Sequence, residues 1–531
     1  MKTYQIPFKS TGFFSKTMLH YLEKNTLIQP FYNNFPSFEG FEKQIAEKKS
    51  SYSLDTRNNL FTVLTNQYKN VNVSEETQAN LAKLKEANTF TITTGHQLNL
   101  FTGPLYFLYK IVSAINLCEE LSVKFPEENF VPVYWMATED HDFDEINYFN
   151  FKGKKVRWNS EQKGGVGRFK TEGLNEVFSV LLDHFGTSKN AEYLKGLFQK
   201  GYLEHDRLAD ATRYIANELF GKYGLVIVEA DDAHLKRELI PFVKEELFHQ
   251  TSYSTVSETS KLLEKNYKIQ VNPREINLFY LLDELRERIV FENNTYKVNN
   301  TDISFTREEI ELELEKHPER FSPNVIVRPL YQEVILPNLC YIGGGGELAY
   351  WMQLKEYFNK VSVPFPILLL RNSVQVLTEK QERKLSNLNI STEELFFKQN
   401  DLLKLKVNEN AKETVNFKEQ RKFLEDQFVM LRKVAEKTDV SFIGAVNAQE
   451  KKQLKGLQNL EKRLLRAEKR KQQDLVSRIT MLQDEVLPNQ SLEERQRNFS
   501  EYYLEYGASF IDALKENLKP LDLEFTVLVM K

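Results

Sequence analysis

Two places where a buried-strand pattern runs straight into a polar, chemically loaded loop constrain this chain more than any other feature. The first is the β-branched run Thr-Phe-Thr-Ile-Thr-Thr from Thr89 to Thr94. It leads into Gly95-His96-Gln97-Leu98-Asn99-Leu100-Phe101-Thr102-Gly103-Pro104 and then the apolar-periodic segment Leu105–Leu121. That order reads strand, glycine-bearing loop, helix. The second is Val131-Pro132-Val133-Tyr134-Trp135-Met136-Ala137, which passes directly into Thr138-Glu139-Asp140-His141-Asp142-Phe143-Asp144-Glu145. Open α/β sheets hold their ligands beyond the carboxyl ends of the strands, so both loops are expected around one crevice.

Each loop suggests a chemistry. The backbone N–H groups of Gly95, Thr102 and Gly103, with Thr94, His96, Gln97, Asn99 and Pro104 around them, lie at the start of a helix, where unpaired donors favour an anion. Neither Gly-x-Gly-x-x-Gly nor a P-loop is present, so no standard dinucleotide or triphosphate fingerprint applies. In the second loop the carboxylates attract an ammonium group, and His141 or Asp142, with Asp140, is suited to remove its proton. Asp140 and Asp142 also suit Mg²⁺, which prefers oxygen ligands. Zinc is not expected, because the loop has one His and no second soft ligand nearby. A third constellation joins Arg328, Gln332 and Glu333 to Gly343, Gly344, Gly345, Gly346 and Glu347. Four successive glycines imply close approach of a ligand to the backbone, or a hinge.

Strand and helix alternate through Leu225–Val228, Val325–Val327 and Ile367–Leu370, which predicts a parallel sheet covered by helices on both faces. The predicted organisation is a helical covering segment over 1–90 and a core over 90–373 with insertions at about 152–220 and 251–321. A helical domain follows over 374–505, then a return to the core over 506–531. In the helical domain, Phe417, Leu424, Phe428, Leu431 and Ala435, then Leu457, Leu460, Leu464 and Ala467, then Leu475, Ile479, Leu482 and Val486 trace a coiled-coil seam. The interruption Thr438–Asn447, containing Gly444, lets the helices fold back antiparallel, and the apolar seam predicts a homodimer. Ser491 with Glu494 forms a capping-box pattern for a further helix.

Composition narrows the partners. A formal charge of −4 over 531 residues argues against a nucleic-acid binder. Cys118 and Cys340 both sit in apolar runs, so no disulfide framework is expected. With no signal-peptide pattern, and no apolar run near the roughly 20 residues of a membrane helix, a cytoplasmic protein without membrane contact is expected.

Taken together, Thr94-Gly95-His96-Gln97, Leu100–Tyr106, Glu139–Glu145, Ser322–Glu333 and Tyr341–Glu347 with Tyr350-Trp351 resemble the bacillithiol-synthesis cysteine ligase family (BshC) over nearly the whole chain. The sequence departs from that family at His96, where Gln is usual, and in the all-glycine run, where a Pro is common. The resemblance implies a Rossmann-like parallel sheet with two inserted subdomains and a C-terminal antiparallel coiled coil. It also implies a C–N ligase joining cysteine to glucosaminyl malate; from the residues themselves, Arg328 or Arg371 suits pairing with a carboxylate such as malate on the acceptor. Carboxylate activation calls for ATP or another adenine nucleotide with Mg²⁺, and no tightly bound organic cofactor is expected. From the residues alone two alternatives stand: a metal-dependent hydrolase built on the Asp/His cluster, and a non-catalytic coiled-coil scaffold with a vestigial crevice.

Overall fold

The computed structural model describes residues 1–411 and 416–531. At its centre lies a five-stranded, wholly parallel sheet. In chain order it uses β1 (Thr89–His96), helix α1 (Tyr106–Lys124), β2 (Asn129–Met136), β3 (Val226–Glu229), helix α2 (Arg328–Ile335), β4 (Asn338–Gly343), helix α3 (Gly345–Trp351) and β5 (Ile367–Leu370). The spatial order is β5-β4-β1-β2-β3. Successive connections run outward from β1 through β2 to β3, then return to β4 on the other side of β1. The order therefore reverses between β1 and β4, and a crevice opens at their carboxyl ends.

β1 is buried along its whole length, which fits its β-branched and aromatic run at the centre of a covered sheet. Pro132 sits inside β2, where a proline ordinarily breaks a ladder. Here it does not. The N–H groups of Asn129 and Ala137 donate to Asn88 and His96 on the β1 side, so alternation turns position 132 toward β3. Pairing with β3 begins only at Val133, one residue later, and no bond is lost.

Two insertions interrupt the core. One, between β2 and β3, contains the hairpin Tyr148–Phe151/Lys154–Arg157 and the helices Leu174–Phe185, Lys189–Phe198 and Leu208–Phe220. The other, between β3 and β4, carries an antiparallel sheet of Leu278–Leu282, Leu285–Glu292, Thr295–Val298, Ser304–Phe305 and Phe321–Pro323. The expected core strand at Val325–Val327 is instead a turn. Asn324 Oδ1 accepts from the N–H groups of Ile326 (2.8 Å) and Val327 (3.3 Å), which steers the chain into α2, with Pro329 in its first turn. The fourth core strand is Asn338–Gly343.

A small third sheet orders Lys2–Ile6, Phe525–Met530 and Val374–Thr378, so the N-terminal segment contributes a strand as well as helices. The helical tail forms a hairpin of α4 (Lys418–Thr438) and α5 (Phe442–Lys471), with Phe428, Ala435 and Val446 in its own core. The connection is shorter than the expected break: α5 resumes at Phe442 and includes Gly444. A second interruption at Gln472 precedes helix Gln473–Val486, whose Ile479, Leu482 and Val486 are buried. Residues 412–415 of the predicted helical domain lie outside the described residues.

The expected capping box at Ser491–Glu494 does not form. Glu494 is drawn to Arg371, which donates to its two oxygens at 2.7 and 2.9 Å, and the next helix starts at Phe499 under an Asn498 cap. Both partners of the pair are buried, at 3% and 1% exposure. Breaking such a pair strands a charge, so Glu494→Ala is expected to lower stability by about 3–5 kcal/mol in urea unfolding. An Arg371→Met/Glu494→Leu double variant is expected to regain most of that loss.

Candidate active site

A cavity of about 780 Å³ opens where the carboxyl ends of β1, β2 and β4 meet, roofed by the sheet of the second insertion. Its size falls within the usual span of small-molecule sites. Cationic side chains outnumber carboxylates on its wall, seven to four.

On the floor, Lys110 projects from α1 and is 3% exposed. Its ammonium donates to the Gly95 carbonyl at 2.8 Å and lies 2.6 Å from Glu347 Oε2. Glu347 also accepts from the Tyr341 hydroxyl and the Gly344 N–H, both at 2.8 Å. Burial opposes ionisation of Glu347, but the Lys110 charge and these donors outweigh it and hold its carboxyl below the ordinary value. For Lys110, burial dominates and lowers the pKa, opposed by Glu347. The pair ties the end of β1 to the start of α3.

Arg328 occupies the middle of the wall, its guanidinium 5.6–5.8 Å from the ring centres of Trp135, Tyr341 and Trp351. Nη1 donates to Gln332 Oε1 at 3.1 Å, while Nη2 has no partner. Gln332 donates in turn to Glu333 (2.9 Å), which also accepts from Asn338 (2.7 Å) and faces Lys48 at 3.6 Å. Gln332 and Glu333 thus lie outside the cavity, beneath Arg328, and set its orientation.

The acid loop reaches the cavity through Glu139, Asp140, His141 and Glu145. Gln97 binds it to the glycine loop, donating to Asp140 at 2.8 Å and Glu145 at 2.9 Å. Glu139 is 2.6 Å from the buried ammonium of Lys236. His141 Nδ1 accepts from Arg286 Nη1 at 2.6 Å, which places the ring proton on Nε2. Burial, then the Arg286 charge, lowers the His141 pKa and favours the neutral ring with its hydrogen on Nε2. Asp142 is exposed and off the cavity wall, and Asp144 pairs with Arg157 at 2.6 Å.

Gly95, His96, Gln97, Glu139, Asp140, His141, Arg328, Gly344, Gly346, Glu347 and Arg371 line the cavity. Arg371 does so with both terminal nitrogens taken by Glu494 and only Nε unpartnered, so it cannot clasp a malate carboxylate with its fork; Arg328 leaves Nη2 unpartnered. The expected anion cradle at Asn99, Thr102, Gly103 and Pro104 is not brought to the cavity. The Gly103 N–H donates to Leu100, and the Asn498 side chain ties down the Phe101 and Gly103 carbonyls at 2.8 and 2.6 Å. Gly103 is required by its own geometry: φ is +63°, and a Cβ there would lie 2.6 Å from that of Asn99. Asn99 and Thr102 border a separate void of about 10 Å³. Thr94 bridges to β4 through the Ile342 carbonyl at 2.8 Å. In the glycine run, a Cβ on Gly343 would crowd Tyr341 and Glu347, and one on Gly345 would lie 2.9 Å from Met18, whereas Gly346 faces open space.

Sequence reasoning missed Lys110, Arg274, Arg286 and Arg288, all on the wall. A lysine in an otherwise apolar helix was the available signal for the first, and Arg-x-Arg alternation on a strand for the last two.

No group of three or more His, Cys, Asp or Glu among the described residues is arranged to hold a metal on protein ligands alone, and no helix is long and apolar enough to cross a membrane. A parallel sheet of this order with a cavity at its reversal point defines a Rossmann-like α/β protein with a helical-hairpin appendage. Residues 1–372 match the bacillithiol biosynthesis BshC N-terminal Rossmann-like domain, and residues 374–530 match the BshC C-terminal coiled-coil domain. The chain belongs to the BshC family of bacillithiol biosynthesis. It is 56% identical to a protein of Flavobacterium johnsoniae over 530 residues, covering 100% of both chains, and 56% identical to one of Christiangramia forsetii over 533 residues, covering 99% of each. Against a Bacillus cytotoxicus protein identity is 26% over 507 residues, covering 93% and 94%. All three are provisionally named cysteine ligase BshC.

His96 packs on Tyr106 and Phe107, with ring centres 5.5 and 5.0 Å away and Nε2 unpartnered. Burial, reinforced by Lys110, holds its pKa down at about 3, against an ordinary 6.5. The unfolded chain therefore takes up this proton first. The resulting stabilisation is complete above pH 6.5 and is lost as the pH falls toward 3. In melting curves recorded from pH 6.5 down to about 4, His96→Gln is expected to lose ~2–4 °C less than the unmodified chain.

Proposed function

We propose that this chain is a ligase that joins the carboxylate of cysteine to the amine of glucosaminyl malate, using a nucleotide to activate the carboxylate. The family and the names of its relatives support ligation. The observation that carries the finer reading is the division of charge within one cavity: free guanidinium on one part of the wall, a carboxylate loop on another. A carboxylate becomes a good electrophile once its oxygen has accepted a phosphoryl or adenylyl group, with ADP or pyrophosphate leaving, so the site must accept polyphosphate and an ammonium-bearing acceptor side by side.

Asp140 and Glu145, cross-braced by Gln97, attract the acceptor's ammonium and take its proton as the amine attacks the acyl carbon. Neutral His141 contributes its Nε2–H to the oxygen on which charge develops. The Arg328 guanidinium, on the cavity wall with Nη2 unpartnered, receives the malyl carboxylate. Mg²⁺ carried with the nucleotide needs only one or two protein carboxylates, and Asp140 is placed to serve. Exposed apolar side chains on the tail hairpin, among them Phe423 (73%), Met430 (63%) and Val434 (59%), support pairing of two copies through it.

The test is an assay of the full chain with cysteine, ATP and glucosaminyl malate, following the thiol product together with AMP or ADP. Arg328→Lys is expected to raise KM for glucosaminyl malate about 30-fold or more. Product formation without nucleotide, or an unchanged KM in that variant, contradicts the reading.

A further inference from the structure

The glycine loop that the sequence marks for phosphate has its amides tied up within its own turn, yet the cavity carries surplus positive charge. That surplus is concentrated on the second insertion. Strand Leu285–Glu292 pairs with Leu278–Leu282 so that Arg288 faces Phe279 and Arg286 faces Leu281. Alternation then puts both arginines on one face of the sheet, the face that lines the cavity. Arg286 lies over the Phe279 ring at 4.1 Å and is fixed by Ser322 Oγ (3.1 Å), the Pro323 carbonyl (3.1 Å) and His141. All three are neutral acceptors.

Arg274 reaches the same wall from the preceding segment. Its backbone N–H donates to Asn277 Oδ1 at 3.0 Å, and Asn277 is in turn buried against Glu246 and Ser252. The segment bearing Arg274 is therefore anchored. Among the described residues, none of Arg274, Arg286 and Arg288 forms an ion pair with a carboxylate, whereas Arg157, Arg168, Arg207, Arg320, Arg371 and Arg432 all do. Three guanidinium groups thus face one hollow without a locked ion pair; the carboxylates of Asp140, Glu139 and Asp231 bear on Arg286 only from a distance, and a multiply charged anion can engage all three.

We propose that Arg274, Arg286 and Arg288 form the polyphosphate subsite of this cavity, holding the nucleotide's phosphate chain against the inserted sheet while Arg328 holds the carboxylate-bearing substrate on the core side. This rests on the nucleotide-dependent reading above. It assigns the phosphates to the insertion and leaves the glycine loop the task of bracing the acid loop through Gln97. Arg286 links the two halves, touching the insertion's own strands and His141 at once.

The test measures binding of inorganic tripolyphosphate and, separately, of malate to the full chain by calorimetry. Arg274→Gln/Arg288→Gln alters side chains at the cavity mouth and leaves the Arg286 contacts in place, so an unchanged melting temperature checks the fold. The double variant is expected to bind tripolyphosphate about 30-fold more weakly, with a shallower salt dependence, while malate binding stays within about twofold. Unchanged tripolyphosphate binding, a parallel loss of malate, or no tripolyphosphate binding by the unmodified chain overturns the subsite. The ligation assay separates the two readings: nucleotide-dependent product with tripolyphosphate binding indifferent to Arg274 and Arg288 refutes the subsite alone. Selective loss of tripolyphosphate binding with no nucleotide-dependent product refutes the ligase reading alone.

Discussion

The buried contact between Lys110 and Glu347 is the constraint on which the site depends. Parallel strands leave their carboxyl ends open, and at a reversal of strand order the flanking elements diverge. Lys110 closes that gap by donating to the last turn of β1 and pairing with the first turn of α3. An unpaired ammonium at this depth is strongly unfavourable, so the residues that neutralise it also fix the distance between two walls of the cavity. Tyr341 and the Gly344 amide complete the shell around Glu347 and carry that constraint into the glycine run.

Around this centre the walls are built in layers. Arg328 lines the cavity and is held from below by Gln332, Glu333 and Asn338, and Asn338 accepts from Thr91 and Thr93 of the central strand. The orientation of a surface-facing cation is thereby set by the sheet itself. Opposite it, the inserted sheet contributes charge while the core contributes rigidity. Functional groups raised on strands of a packed sheet keep their positions better than groups on a free loop.

Four of the five central strands were legible as apolar runs, and those at Thr89–His96 and Asn129–Met136 end in abrupt polar loops, whereas Asn338–Gly343 was missed in favour of Val325–Val327. The meeting of Gly95–Gln97 with Glu139–His141 followed from the same rule, since adjacent parallel strands deliver their ends to one side. What was not legible depended on partners distant in sequence. The Thr102–Gly103 turn reads as an anion cradle until Asn498, nearly four hundred residues away, is seen bonded to its carbonyls. Ser491–Glu494 reads as a helix start until a buried arginine claims the carboxylate. Gln332 and Glu333 read as ligand-facing until the helical period of α2 turns them beneath Arg328. In each case local pattern gave the correct residue type for a polar interaction and the wrong partner, because hydrogen-bonding groups are satisfied by whatever the tertiary fold brings within reach.

Residues 2–6 pair antiparallel with 525–530, which in turn lie parallel to 374–378. During synthesis on the ribosome, the strand at residues 2–6 must wait unpaired until residue 530 has been made, while the five-stranded core has all its strands by residue 370. The seam can close only after every core strand has been made, across a loop of several hundred residues whose closure entropy grows only logarithmically with length. A nascent chain can thus pair its five core strands well before residues 2–6 find theirs, whereas the cavity wall waits for Arg495 and for the Glu494 partner of Arg371.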